Sequence, residues 1–191
     1  MKVYLIRHAQ SIENARGLDY RLSQTAFNAF LDTTQDAPLS TVGFQQAQHL
    51  ASVLAGASIE RLYTSPFARA LSTATVLGQS WGVTPRIVPD LHEVMPSGLP
   101  QSERELALFW HFLKGYVWLA VPTPMHESWF DVYRRAQRVW QFLIRESVAV
   151  LAVVSHFAFL HILLLVAHLH WRCTIHGYHL NNGGVTCVEI C

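Results

Sequence analysis

Ser147–Trp171 reads SVAVLAVVSHFAFLHILLLVAHLHW and contains no Asp, Glu, Lys or Arg. Two structures share that composition. A bilayer span needs about 20 consecutive apolar residues, and a buried strand followed by a turn and a buried helix needs the same chemistry. The β-branched run Val148–Val154 ends at Ser155-His156, polar groups that would sit near mid-bilayer, where they are costly. The stretch therefore reads as a strand, Val148–Val154, then a turn, then a helix, Phe157–His168. A strand apolar on both faces belongs to a parallel sheet covered by helices.

The neighbouring segments extend that pattern. Lys2–Ile6 is a short apolar strand ended by Arg7-His8. Ser40 is an N-cap before the helix Val42–Ala55, with Gly56 as its stop. Ile59–Tyr63 is a second strand, and Thr64-Ser65-Pro66 opens the helix Phe67–Trp81, stopped by Gly82. Arg86–Val88 is a third strand. Ser102–Lys114 reads as a helix, Val121–Met125 as a proline-rich loop, and Ser128–Glu146 as an amphipathic helix. Gly177–Leu180 and Val185–Ile190, separated by Asn181-Asn182-Gly183-Gly184, read as a closing hairpin. Ile12–Ala37 has no clean period beyond a turn or two of helix at Gln24–Leu31, and is expected to form a loop over a site. The alternation predicts one α/β domain over residues 1–191, a three-layer sandwich with a mostly parallel sheet and helices on both faces.

Composition narrows the partners. A net charge of +1 without runs of Lys or Arg gives no footprint for nucleic acid. Cys173, Cys187 and Cys191 are an odd set crowded near the end of the sequence, read as reduced thiols in a cytoplasm. The apolar stretch at Met1–Ile6 is too short for the centre of a signal peptide, and no membrane partner is expected. Only 14% of residues are charged and 51% are hydrophobic, which suggests that some apolar surface meets a partner.

In open α/β sheets the ligand crevice lies at the carboxyl ends of the strands. Here one strand ends in Arg7-His8, one in Thr64-Ser65 with Arg69 a turn into the next helix, and one in Ser155-His156. Two histidines and two arginines converging from separate strand ends would make a dianion site, because guanidinium matches phosphate oxygens with forked donors. Helix N-termini after Ser65 and His156 would add backbone amides. A neutral imidazole can attack phosphorus, water can open the phosphohistidine, and a nearby carboxyl can protonate the leaving alkoxide. Glu93 lies just after the third strand, in Asp90-Leu91-His92-Glu93; Glu13, Glu103 and Glu127 are alternative donors.

With these residues in place the chain resembles the histidine phosphatase superfamily, the phosphoglycerate mutase-like proteins. Arg7-His8-Ala9-Gln10-Ser11 with Asn14 matches the family's Arg-His-Gly-Glu-Thr/Ser opening, with Ala9-Gln10 in place of Gly-Glu. Pro38-Leu39-Ser40-Thr41-Val42-Gly43-Phe44-Gln45-Gln46-Ala47 and Ser65-Pro66-Phe67-Ala68-Arg69-Ala70-Leu71-Ser72-Thr73-Ala74 match its next two boxes. Leu91-His92-Glu93 and Ser155-His156 match its last two, with Phe157 where Gly is usual. The resemblance implies His8 as nucleophile and Glu93 as proton donor. It implies Arg7, Asn14, Arg69 and His156 as the phosphate pocket, to which Phe157 belongs by position. It requires no cofactor and no metal.

His168, His170, Cys173, His176 and His179 have spacings that could suit zinc, but a helix ending near His168 would scatter them. The expected substrate is a small phosphate ester and the expected reaction hydrolysis. Between His92 and His126 the basic residues are Arg104 and Lys114 alone, against Phe109, Trp110, Phe112, Tyr116 and Trp118. That is a lid for a larger or less polar organic phosphate, without the basic insertion of a mutase. The alternatives are phosphoglycerate mutase-type transfer and non-catalytic phosphate binding. Because Phe157–His168 is apolar on nearly every face, a homodimer covering it is also expected.

Overall fold

The computed structural model describes residues 1–96, 99–121 and 127–190. The loop expected at Val121–Met125 lies, after Val121, outside them, as do His126 and Cys191. The strands are β1 (Lys2–Arg7), β2 (Arg21–Leu22), β3 (Arg61–Thr64), β4 (Pro85–Ile87), β5 (Leu106–Ala107), β6 (Val150–Ser155), β7 (Cys173–His176) and β8 (Val185–Ile190). The helices are α1 (Gln24–Thr34), α2 (Thr41–Val53), α3 (Ala68–Trp81), α4 (Leu108–Trp118), α5 (Trp129–Leu143) and α6 (Phe157–His170).

Six strands form one sheet in the order β4-β3-β6-β1-β8-β7. The first four of that order run parallel, and β8 and β7 are antiparallel to their neighbours. The alternation of β6 assembles both layers. Leu151 and Val153 pack with α5 and α6 through Val139, Trp140, Leu160 and Leu163. Ala152 and Val154 face the other way, onto Leu50 and Ala51 of α2 and Ala70, Ala74 and Leu77 of α3. The result is the expected three-layer α/β/α arrangement. The charge-free stretch splits as read, into β6 and a 14-residue α6, and no helix among the described residues is long and apolar enough to cross a membrane.

Register makes this sheet a platform for a site. Arg7 lies opposite Ser155, and Thr64 lies opposite Val154. Three adjacent strands thus finish level, and the residues after them emerge together.

Three local expectations are corrected. The segment Ile12–Ala37 carries the full helix α1, capped by Ser23, whose side chain accepts from the Ala26 amide. The helix expected from Ser102 starts at Leu108, because Leu106–Ala107 pairs with Arg21–Leu22 as a small ribbon. The partner of β8 is Cys173–His176, not Gly177–Leu180. Gly177 takes a φ of +66° and turns the chain away, and the backbone of 177–184 is directed toward β1: Leu180 O accepts from Arg7 NH1, and Gly183 N donates to His8 O.

Helices α1 and α4 and the β2–β5 ribbon form a cap with its own apolar centre of Leu22, Phe27, Leu31 and Leu108. The buried His111 is stacked on Phe27 at 4.9 Å and bonded to Leu22 O and Gln24.

Candidate active site

His8 is 3% exposed, at the end of β1. Its Nδ1 lies 2.8 Å from the Ala9 carbonyl. A carbonyl only accepts, so Nδ1 carries the proton and Nε2 keeps its lone pair. Arg69 agrees with that tautomer: its Nε donates to His8 Nε2 at 3.1 Å. Burial holds the imidazole well below its ordinary 6.5, and the charges of Arg69 and Arg7 act the same way against the Ala9 hydrogen bond. A neutral ring with its lone pair on Nε2 is the nucleophilic form.

Arg69 stands in the first turn of α3, its guanidinium 5.1 Å over the Phe67 ring and bonded through NH1 to Thr34 O. Burial lowers it to about 10, with Glu93 opposing and Arg7 adding to the shift. Arg7 donates to Leu180 O and lies 4.9 Å over the Phe157 ring, and burial lowers it too, against the pull of Glu93. Arg7 Nε is buried with no partner among the described residues.

His156 is fully buried, its ring 5.0 Å from that of His8. Its Nε2 is 2.7 Å from Ser65 Oγ, while its Nδ1 is buried with no partner among the described residues. Burial first, then Arg69 and His8, hold it well below 6.5. Glu93 is fixed at the start of α6: Oε1 accepts from Val94 N at 2.9 Å and Phe159 N at 3.1 Å, and Oε2 from Ala158 N at 3.4 Å. Asn14 Oδ1 takes the Ser11 amide and hydroxyl and Asn182 Nδ2, which leaves its own Nδ2 to donate.

These side chains meet in a cleft of about 560 Å³ under the cap. Arg7, His8, Asn14, Arg69, Glu93 and Phe157 line it. His156 does not; it reaches the site through its contact with His8. Glu13 lines the cleft as well, next to Arg16 at 3.2 Å. The other alternative donors are elsewhere: Glu103 accepts from Thr25 Oγ1, and Glu127 is paired with Arg135.

The matched boxes have physical reasons. Thr73 accepts from the Ala9 amide at 3.0 Å, fixing the residue after the nucleophile. Ser155 Oγ donates to Leu91 O and ties the end of β6 to the segment that carries Glu93. A Cβ on Gly43 would lie 2.0 Å from the Gln10 carbonyl oxygen, so α2 meets the nucleophile loop only through glycine. Gln10, where the family has Glu, is bonded to Ser40 through Oε1 and does not line the cleft.

Sequence reasoning missed Asn182 and Arg135, and read Tyr116 only as part of an aromatic lid. Asn182 Nδ2 bridges His8 O and Asn14 Oδ1 at 3.2 Å each; Asn181-Asn182-Gly183-Gly184 signalled only a turn. Tyr116 lines the cleft, its hydroxyl pushed up by burial and by the Glu93 charge. Among the described residues no group of three or more His, Cys, Asp or Glu could hold a metal ion. His170 is bonded to Tyr133, and His176 is 3.4 Å from Glu189.

Residues 3–191 match the family model of the histidine phosphatase superfamily, branch 1. The chain belongs to that superfamily. The match supports a phosphoric monoester hydrolase. It is 26% identical over 97% of its length to 87% of a Hydrogenobacter thermophilus protein provisionally named phosphoserine phosphatase 2. Among solved structures, Bacillus stearothermophilus YhfR is similar with a TM-score of 0.70 at 22% identity, over 100% of this chain and 91% of that one. Entamoeba histolytica phosphoserine phosphatase is similar with a TM-score of 0.65 at 20% identity, over 97% and 89%. At such identities the likeness is one of fold.

Proposed function

We propose that this superfamily member hydrolyses small organic phosphomonoesters by transfer to His8 Nε2. The observation that carries the reading is the pinned tautomer: Ala9 O holds Nδ1–H, so the lone pair is on Nε2, where it accepts from Arg69 Nε beside a cleft that Arg7 also lines. A phosphoryl group entering there displaces Arg69 Nε from Nε2 and takes it as a donor. It also meets Arg7, whose Nε is a buried donor, and want of a partner for such a donor is costly in a protein alone and is relieved by phosphate oxygens. Asn14 Nδ2 and the N-terminal end of α6 add further donors. Guanidinium charge offsets the negative charge on the transferring group.

In the first step Nε2 bonds to phosphorus as the bond to the ester oxygen breaks, and Glu93 gives a proton to the leaving alkoxide. In the second, Glu93 takes a proton from water as it attacks phosphorus, and the bond to Nε2 breaks. No metal or cofactor enters these steps. The odd, clustered cysteines, read as reduced thiols, support a cytoplasmic setting for the reaction.

Brief mixing with a radiolabelled phosphomonoester, acid-free quenching and peptide mapping tests the reading. An acid-labile label on His8 is expected, absent from His8→Ala along with at least about a thousandfold of the turnover. Label on another residue, or near-normal hydrolysis by His8→Ala, overturns it. Interconversion of phosphoglycerate isomers without net phosphate release would favour the mutase alternative, and binding without label the non-catalytic one.

A further inference from the structure

The cationic groups of the cleft stand at the nucleophile. Arg7 and Arg69 are its cationic lining residues among those described, and both stand beside His8. Three of its neutral polar groups are engaged within the protein, Ser11 with Asn14, Asn182 with His8 O, and Thr34 O with Arg69, and Asn14 Nδ2 and Tyr116 complete its polar lining. Its apolar lining, open to the ester's alcohol, is made by Phe30, Met95, Phe109, Phe112 and Leu113, while Phe157 lies under the Arg7 guanidinium. Of the two lining carboxylates, Glu93 is held by the amides of α6 and Glu13 is paired with Arg16. Lys114, on the same helix as Leu113, lines a separate surface depression instead.

From this arrangement we infer that the site selects phosphomonoesters of uncharged, largely apolar alcohols, aryl or alkyl, and discriminates against esters that carry a second anionic group. The inference rests on the phosphatase reading above. A second carboxylate on the substrate would meet an apolar wall with no cation of its own, the nearby Arg16 being already paired with Glu13, and would lose hydration without a compensating partner. An aryl or alkyl group gains by burial against the same wall, about 25 cal/mol for each Å² of apolar surface removed from water. A cavity of this volume accommodates a phosphoryl group together with a ring system.

The test compares kcat/KM for naphthyl phosphate and octyl phosphate with that for phosphoserine and phosphoglycerate, and traps phosphohistidine with each. A preference of at least about tenfold for the apolar pair is expected. Leu113→Lys, which places a cation in the wall, should raise kcat/KM for phosphoglycerate and lower it for octyl phosphate. Phosphohistidine formation with equal or better turnover of the carboxylated esters overturns this inference and leaves the phosphatase reading standing. No label and no phosphate release from any ester overturns both.

Discussion

The Arg135 guanidinium and the Glu127 carboxylate are joined by two hydrogen bonds of 2.7 Å each. From that pair Arg135 NH1 reaches the carbonyls of Asp90 and His92 at 2.8 Å, and the guanidinium lies 4.0 Å over the ring of Phe159. Phe159 in turn donates its amide to Glu93. A single buried cation on α5 thus holds both the segment that presents the carboxyl and the residue that orients it. Arg135→Met should cost about 3 kcal/mol in chemical denaturation, because it strips a partner from Glu127 and from two carbonyls. It should also slow alkyl esters more than nitrophenyl phosphate with KM little changed, and Arg135→Lys should recover part of that loss. Destabilisation without any change in the ratio between the two esters would make the pair structural only.

Glu93→Gln removes the proton and keeps an oxygen to accept from the α6 amides. Alkyl esters, whose leaving alkoxide needs a proton, should slow by about a hundredfold, and nitrophenyl phosphate far less. Stopped assays on both substrates decide it, and equal slowing would move the acid role to another group, with Glu13 the next carboxyl on the cleft wall.

Acid should act on stability before it acts on the nucleophile. Unfolded, His8 and His156 take up protons around the ordinary value of 6.5, whereas in the fold burial keeps both neutral to well below it. The unfolded chain therefore binds more protons in acid. The stability from these two residues is fully present above pH 6.5 and is lost progressively as pH falls below it, toward their folded values. Denaturation curves across that window should show the decline, smaller in His156→Gln. The acid limb of kcat/KM due to His8 should lie well below 6.5, and an inflection at the ordinary histidine value would contradict the buried neutral ring.

Phe157, Leu165 and Leu169 of α6 are 45%, 46% and 59% exposed, while Leu160, Leu163 and Val166 are buried. The helix is thus not covered on every face by its own chain. The homodimer expected from its composition is proposed to use this stripe. Light scattering over a wide concentration range should give a dimer that Leu169→Glu weakens, and a monomer at every concentration would refute it.

The layers were legible because their signals are local. Strand and helix alternate within segments of ordinary length, caps such as Ser40 mark their starts, and β6 carries its two-faced burial in its composition. Arg7, His8, Arg69 and His156 were legible because strand ends in a parallel sheet emerge together, whatever the loops do. Leu106–Ala107 was misread as helix because its strand character comes from pairing with Arg21–Leu22, far away in sequence. Gly177–Leu180 was misread as strand because its backbone groups are committed to Arg7 and Thr186 instead of to a ladder.

Sequence alone determined which residue types stand at the strand ends and that an aromatic-rich segment follows Glu93. Only the tertiary structure decided that Gln10 turns to Ser40 and away from the cleft, that Asn182 bridges His8 and Asn14, and that Arg135 bonds the carbonyls of Asp90 and His92 beside Glu93. Each of those outcomes depends on hydrogen bonds between residues distant in the chain. Which donor finds which acceptor is fixed by the register of the sheet and the packing of its helices, and a linear sequence does not display either.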